Sequence, residues 1–183
     1  MKRPVLSLQA RALGWLAQRE QSRSELRRKL LRVALPPKAG RDESADADAY
    51  VDSDACAEAD REQAAVQVEL LLDQLQAQGL LSDERFVESR VRVRASGLGA
   101  RRIQAELARH GLKLSAQPLQ QLRDSELQRA AQLWQRKYGT PAQDLRERAR
   151  QMRFLAGRGF SGDVILKVLS AAPEPQDDAL PRG

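Results

Sequence analysis

Residues 97–111 read GLGARRIQAELARHG. Turned by about 100° per residue, Ala100, Ile103 and Leu107 fall on one side of a helix, with His110 beside them. Arg101, Arg102 and Arg109 fall on the other side. This is an amphipathic helix with a basic outer face, entered through Gly97-Leu98-Gly99 and left at Gly111.

The same unit recurs. Aligning Gly99 with Ser22 and Ser161 sets Ile103 beside Leu26 and Ile165, and Leu107 beside Leu30 and Leu169. Upstream, Val93 aligns with Leu16 and Leu155, Gly97 with Glu20 and Gly159, and Leu98 with Gln21 and Phe160. Any helical hairpin buries apolar residues at such spacings, so two matches come cheaply. The third apolar position marks a repeat. Its period is roughly 50–60 residues, about three helices, and the last copy shows two clear helices before the tail. A unit of about 50 residues is marginal alone, so neighbours must stack. The expected fold class is all-α, an elongated curved stack of three three-helix, helix-turn-helix-like repeats. The repeats are set at 6–80, 81–138 and 139–171, with a frayed tail at 172–183.

No stretch alternates as a strand needs, and Ala, Leu, Gln, Glu and Arg dominate. The periodicity predicts a first helix over 6–19, with Leu6, Leu13 and Leu16 inward. Ser22-Arg23-Ser24-Glu25 fits a capping box opening the next, which Pro36-Pro37 ends. A third carries Val66, Leu70, Leu72 and Leu75 to a glycine stop at Gly79. Ser82 or Asp83 caps the fourth, to about Ala95. After the helix that ends at His110, helices are expected near 115–122 and 125–138. Another is expected from Pro141, with Thr140 as cap, to Gly157, and a last from Ser161 to Ser170.

The stretch 38–61, KAGRDESADADAYVDSDACAEADR, holds eight acidic and three basic residues. It reads as a mobile acidic loop whose alanines allow a partly helical stretch. Its net charge of −5 against +6 for the whole 183-residue chain leaves +11 elsewhere. Of the basic residues 25 are Arg and 6 are Lys, which suits bidentate contacts to phosphate or carboxylate, or reflects a coding bias.

The Arg residues define candidate surfaces. Arg28 and Arg32 lie opposite Leu26, Leu30 and Val33, and Arg85 and Arg92 lie opposite the centre of the arc Phe86, Val87, Val91 and Val93. Arg90 falls inside that arc and must snorkel or pair. Arg146, Arg148, Arg150 and Arg153 share the helix before Gly157. With Arg101, Arg102 and Arg109 they form a basic track for phosphates or an acidic partner. The plainer alternative is a solvated face partly paired with Glu25, Glu84, Glu88, Glu106 and Glu147.

Several chemistries lack their residues. A single Cys, Cys56, makes no internal disulfide, and with a single His, His110, it leaves no zinc cluster. Cys56 and His110 are a poor nucleophile–base pair, and His110 suits packing or a helix C-terminus better. There is no phosphate loop, no acid–base signature, no membrane-length apolar run and no secretory signal. Aromatic residues are only 4% and scattered, which argues against base-stacking platforms. A cytoplasmic, non-enzymatic protein without cofactor or metal is expected.

The segment Ser22-Arg23-Ser24-Glu25-Leu26 through Lys29-Leu30 resembles the first-repeat signature of the RecX family of recombination regulators. Leu81-Ser82-Asp83-Glu84-Arg85-Phe86, then Gly97 through Ile103 and Glu106-Leu107, resembles its central signature. Arg153-Phe154-Leu155, Arg158-Gly159-Phe160 and Val164-Ile165 resemble its last. The matches come in order over about residues 8–170. The resemblance implies a modulator that lies along the groove of RecA filaments on DNA and inhibits strand exchange and the coupled ATPase. Three departures stand out. Gln21 replaces a frequent His or aromatic residue, Arg90 replaces a common aromatic one, and the acidic stretch is longer than usual.

The partner so implied is the RecA filament; single-stranded DNA is a second candidate for direct contact, and a stack with closed ends is expected to be a monomer. The candidate contact residues are Arg28, Arg32, Arg85, Arg92, Arg101, Arg102, Arg109, Arg148 and Arg153. Two rivals stay open. One is a plain DNA-binding helix-turn-helix with 99–110 as reading helix, and the other an adaptor for an acidic protein.

Overall fold

The computed structural model describes residues 6–35 and 50–171, with backbone only for 50–57. Among these residues the chain is helical and carries no strand. The helices are α1 (Leu8–Gln18), α2 (Arg23–Ala34), α3 (Tyr50–Ala77), α4 (Asp83–Ala95), α5 (Ala100–Ala108), α6 (Ala116–Asp124), α7 (Glu126–Lys137), α8 (Leu145–Gly157) and α9 (Gly162–Ala171). They fall into two compact units, Met1–Phe86 and Val87–Gly183. The segments 1–5, Pro36-Pro37 and the tail 172–183 lie outside the described residues.

In the first unit, α1 to α3 close on a core of Ala12, Leu26, Leu30, Val68, Leu72, Leu75 and Leu81. The inward stripe of α1 is Leu8, Ala12, Trp15 and Leu16. Of the expected inward residues, Leu6 and Leu13 are therefore outside, 57% and 38% exposed. Likewise α3 buries Val68, Leu72 and Leu75, and turns Val66 and Leu70 to solvent. In both helices the leucines outnumber the positions on one stripe, and neighbouring helices choose the phase. At α1 small Ala12, fully buried, sits at the centre of the chosen stripe.

The acidic stretch is not a loop throughout. α3 begins at Tyr50, so residues 50–61 are helical, and 38–49 lie outside the described residues. Alanine-rich sequence has high helix propensity, and propagating an existing helix costs far less than nucleating one.

Ser22 caps α2 as expected, its Oγ accepting from the Glu25 N–H at 3.1 Å. A carboxylate joins it, because the Arg23 N–H donates to Asp83 Oδ1 at 2.8 Å. This leaves Ser82 to cap α4, its Oγ accepting from the Arg85 N–H at 3.2 Å. Buried Gln21 donates to the Trp15 carbonyl at 3.0 Å and accepts from Lys29 Nζ at 2.7 Å, which satisfies its amide. Glu25 is buried between Arg19 and Lys29. Burial alone would raise its carboxyl, but hydrogen bonds from Arg19 and Lys29 hold it below the usual range.

In the second unit the core is Ala130, Trp134, Leu155, Phe160, Ile165, Val168 and Leu169. The repeat positions after each turn are buried in all three copies: Leu26 and Leu30, Ile103 and Leu107, Ile165 and Leu169. The upstream position fits less evenly, since Leu155 is buried but Val93 is 65% exposed. α8 opens later than expected. Its cap is Asp144, whose Oδ1 accepts from the Glu147 N–H at 2.6 Å, and not Thr140. Glu147 reaches back to the Gln143 N–H at 3.1 Å, so Asp144 and Glu147 behave as a capping box that outcompetes the Thr-Pro start.

The turns at 97–99 and 157–159, which align in the repeat, touch each other. The Gly99 N–H donates to the Arg158 carbonyl at 2.9 Å. A β-carbon on Gly99 would lie 2.3 Å from the Gly159 oxygen. Gly159 has φ +87°, and a β-carbon there would lie 2.5 Å from Cβ of Arg102.

Gly99→Ala is therefore expected to destabilise the protein by about 3 kcal/mol. Gly157→Ala, with open space around it, should be neutral or stabilising by about 0.5 kcal/mol. Urea unfolding of both variants decides this. The depressed Glu25 carboxyl contributes stability that is present above its unfolded value of about 4.3 and lost as pH falls through its lower folded value. Below about pH 4 the wild type should thus lose stability more steeply than Glu25→Gln, read from thermal midpoints against pH.

Candidate partner-binding surface

α5 carries the centre of the surface. Ala100, Ile103 and Leu107 are buried, which turns Arg101, Arg102 and Arg109 outward. Gly99 offers no side chain as cap, so the Ala100 N–H is met by Glu126 Oε1 at 2.8 Å. Glu126 is itself 4% exposed. The helix is thereby anchored at its N-terminus by a buried carboxylate from α7.

Outside α5 lies a cleft of about 740 Å³. Arg94, Arg101, Arg102 and Arg109 line it together with Glu106 and His110. Glu106 is the carboxylate of this lining, and it is shared. Arg90 approaches its Oε1 at 3.5 Å and Arg94 its Oε2 at 3.2 Å. Arg90 is thus paired, as its place inside the apolar arc required. Arg102 Nη1 donates to the Gly157 carbonyl at 3.0 Å, so this residue both lines the cleft and fastens the end of α8. Arg101 and Arg109 are exposed and make no ion pair among the described residues. His110 lies past the end of α5, in the turn that closes at Gly111, and lines the same cleft. The arrangement offers planar cationic donors on a rigid helix, suited to phosphate or carboxylate oxygens.

The other candidates are dispersed. Arg153 shares a smaller cleft of about 440 Å³ with Arg146 and Arg150, where Asp144 and Glu147 offset the charge. Arg92 and Arg148 are exposed and line neither cleft. In the first unit Arg28 and Arg32 are exposed on α2. Arg85 is engaged internally, with Nε on Glu20 at 2.9 Å and Nη2 on the Leu80 carbonyl at 3.2 Å. Neighbouring Arg23 and Arg27 are held by Glu69, whose carboxyl their hydrogen bonds pull below its ordinary range.

Two arginines near this surface escape the sequence pattern. Arg94 reaches Glu106 across the 97–99 turn, a contact between helices that no periodicity signals. Arg129 looks like one more surface arginine but is half-buried and positions the turn. Its Nη1 donates to the carbonyls of Ala95 and Leu98, both at 2.6 Å, and its Nη2 to that of Leu122 at 2.7 Å. Burial lowers its pKa from the ordinary value against the pull of Glu126, although guanidinium stays charged at any working pH. Cys56 lies in the part of α3 described by backbone alone. No helix among the described residues is long and apolar enough to cross a membrane.

The sequence model for RecX, second three-helix domain, matches residues 82–113, and that for RecX, third three-helix domain, matches 124–169. A regulatory protein RecX of Leptothrix cholodnii is 42% identical over 177 residues, covering 96% of this chain and 95% of the relative. The chain belongs to the RecX family. Another regulatory protein RecX, from Ralstonia nicotianae, is 40% identical over 97% of this chain and 96% of its own. In fold, the chain is similar to the crystal structure of RecX from Lactobacillus salivarius, with TM-score 0.56 and 16% identity over 90% of this chain and 93% of that one. The range matched by the third family domain takes in α7, α8 and most of α9. The helical repeat architecture is thereby that of a RecX regulatory protein.

Replacing Arg129 leaves three inward carbonyls without their donor. Arg129→Gln should cost about 2–4 kcal/mol, and Arg129→Lys should recover only part, because one ammonium cannot span the fork. The denaturant midpoints of the two variants against wild type measure this.

Proposed function

We propose that this chain is a non-enzymatic cytoplasmic regulator of the RecA recombinase. It acts as a monomer, binds RecA filaments on single-stranded DNA, and inhibits their ATPase and strand exchange in recombination, DNA repair and the SOS response. The observation that carries this reading is membership of the RecX family over nearly the whole chain, joined to an arginine cleft on α5 that Glu106 only partly neutralises. A RecA filament on DNA presents both protein side chains and a phosphodiester backbone. A rigid row of arginines meets both acidic side chains and phosphate oxygens. Arg101, Arg102 and Arg109 are the central contacts in this reading, and Arg28, Arg32, Arg92, Arg148 and Arg153 extend it over other exposed helix faces. Arg85 contributes less, since Glu20 already holds it.

The test is the single-stranded-DNA-dependent ATPase of RecA with this protein titrated below one per RecA. Strong inhibition at that ratio is expected. Arg101→Glu with Arg109→Glu should raise the concentration needed at least tenfold. Arg102 is left intact because it also holds the Gly157 carbonyl. Inhibition by the double variant at wild-type concentrations would remove the cleft from the partner surface. No inhibition by the wild type, with tight binding to bare DNA, would favour a sequence-independent DNA-binding helix-turn-helix protein acting without RecA.

A further inference from the structure

A second cationic cluster lies in the same unit, among residues that the periodicity did not single out. Arg136 and Lys137 from the end of α7 and Arg158 from the end of α8 converge with Phe154 and Gly97 on a pocket of about 390 Å³. Among the described residues no carboxylate lines it, and none of the three cations makes an ion pair. Elsewhere in this protein clustered arginines come with an acid. Arg23 and Arg27 share Glu69, and Arg90 and Arg94 share Glu106.

The cluster is built in place. Lys137 Nζ sits 4.0 Å from the Phe154 ring centroid, and the Arg158 guanidinium carbon sits 5.3 Å from it. The Phe154 ring meets Tyr138 edge-on, with centroids 5.6 Å apart. Arg136 Nη2 donates to the Ser96 carbonyl at 3.4 Å. The C-terminal ends of α7 and α8 favour cations, which offsets the like-charge repulsion before any ligand arrives. The cluster also adjoins the arginine cleft, since Gly157 and Gly159 on either side of Arg158 line that cleft.

We propose that Arg136, Lys137 and Arg158 form a second phosphate-binding subsite, continuous with the α5 cleft, that takes the backbone of a nucleic-acid strand without reading its bases. Arginine forks match phosphate oxygens, and a run of cations continuing around one turn suits a chain of phosphates better than a single carboxylate. Phe154 is no base-stacking platform, because two cations already sit over its ring and Tyr138 packs against it. The inference deepens the proposed function and rests on it only for the choice of single-stranded DNA as the polymer.

The experiment is fluorescence anisotropy of a labelled oligo(dT) and of an abasic oligomer of equal length, over a salt series and without RecA. The triple variant R136Q, K137Q and R158Q should bind at least tenfold more weakly at low salt. Its salt slope should fall by about two, at roughly 0.7 for each phosphate of a single strand that the variant no longer neutralises. The weakening should be equal for oligo(dT) and the abasic oligomer. Unchanged affinity and slope would overturn the subsite. A weakening confined to oligo(dT) would overturn its indifference to bases. Polyglutamate displacing oligo(dT) as well as unlabelled oligo(dT) does would overturn the phosphate assignment in favour of an acidic protein. Should the triple variant fail to fold by circular dichroism, R136Q with K137Q tests the same site, since both side chains are exposed. Because RecA is absent, failure here leaves the ATPase result of the proposed function standing.

Discussion

The carbonyl of Gly159 occupies the place where a β-carbon on residue 99 would have to go. That backbone contact, with the Gly99 N–H on the Arg158 carbonyl at 2.9 Å, holds the turn before α5 against the turn after α8. The cationic surfaces of the second unit depend on it. It sets Arg102 over Gly157, brings Gly157 and Gly159 into the wall of the arginine cleft, and leaves Arg158 beside Gly97. A side chain at either glycine would separate the turns and with them the two groups of cations.

Two acids and an arginine then fix the helices that leave these turns. The N–H after the Ser22 anchor is met by Asp83, and the N–H after the Gly99 anchor by Glu126. In each unit a carboxylate at the start of a later helix caps an earlier one, so helix capping doubles as tertiary attachment. Arg129 completes the second case by gathering carbonyls from α4, the following turn and α6. Asp83, Glu126 and Arg129 thus direct their charge at backbone groups, while Arg101 and Arg109 of α5 face outward without an ion pair among the described residues.

That separation is the basis for reading function from this surface. Charges with structural work carry partners: Glu25 with Arg19 and Lys29, Glu69 with Arg23 and Arg27, Glu20 with Arg85. Among the described residues, those lining the α5 cleft outnumber the one carboxylate there, and those around Phe154 have none. The proposed function and the phosphate subsite both rest on these surfaces.

The fold class and its repeat were legible in the sequence, because residues four and eight after each turn point to the core whatever packs there. Leu26, Leu30, Ile103, Leu107, Ile165 and Leu169 show this. The outward face of α5 followed from the same geometry, since burying Ile103 and Leu107 leaves Arg101, Arg102 and Arg109 no other side. Where leucines filled more than one stripe, as at Leu6, Leu13, Val66 and Leu70, periodicity left the phase open and the neighbouring helices chose it. The start of α8 turned on a capping box competing with a Thr-Pro start, and the helical half of the acidic stretch on propagation from α3. Only tertiary structure could distinguish Arg129, turned inward onto carbonyls, from Arg101, turned outward, or bring Arg158 to Arg136 and Lys137. The sequence specifies what each side chain can bond, but its partner is set by which distant turns touch, and here that is decided by two glycines that let their backbones meet.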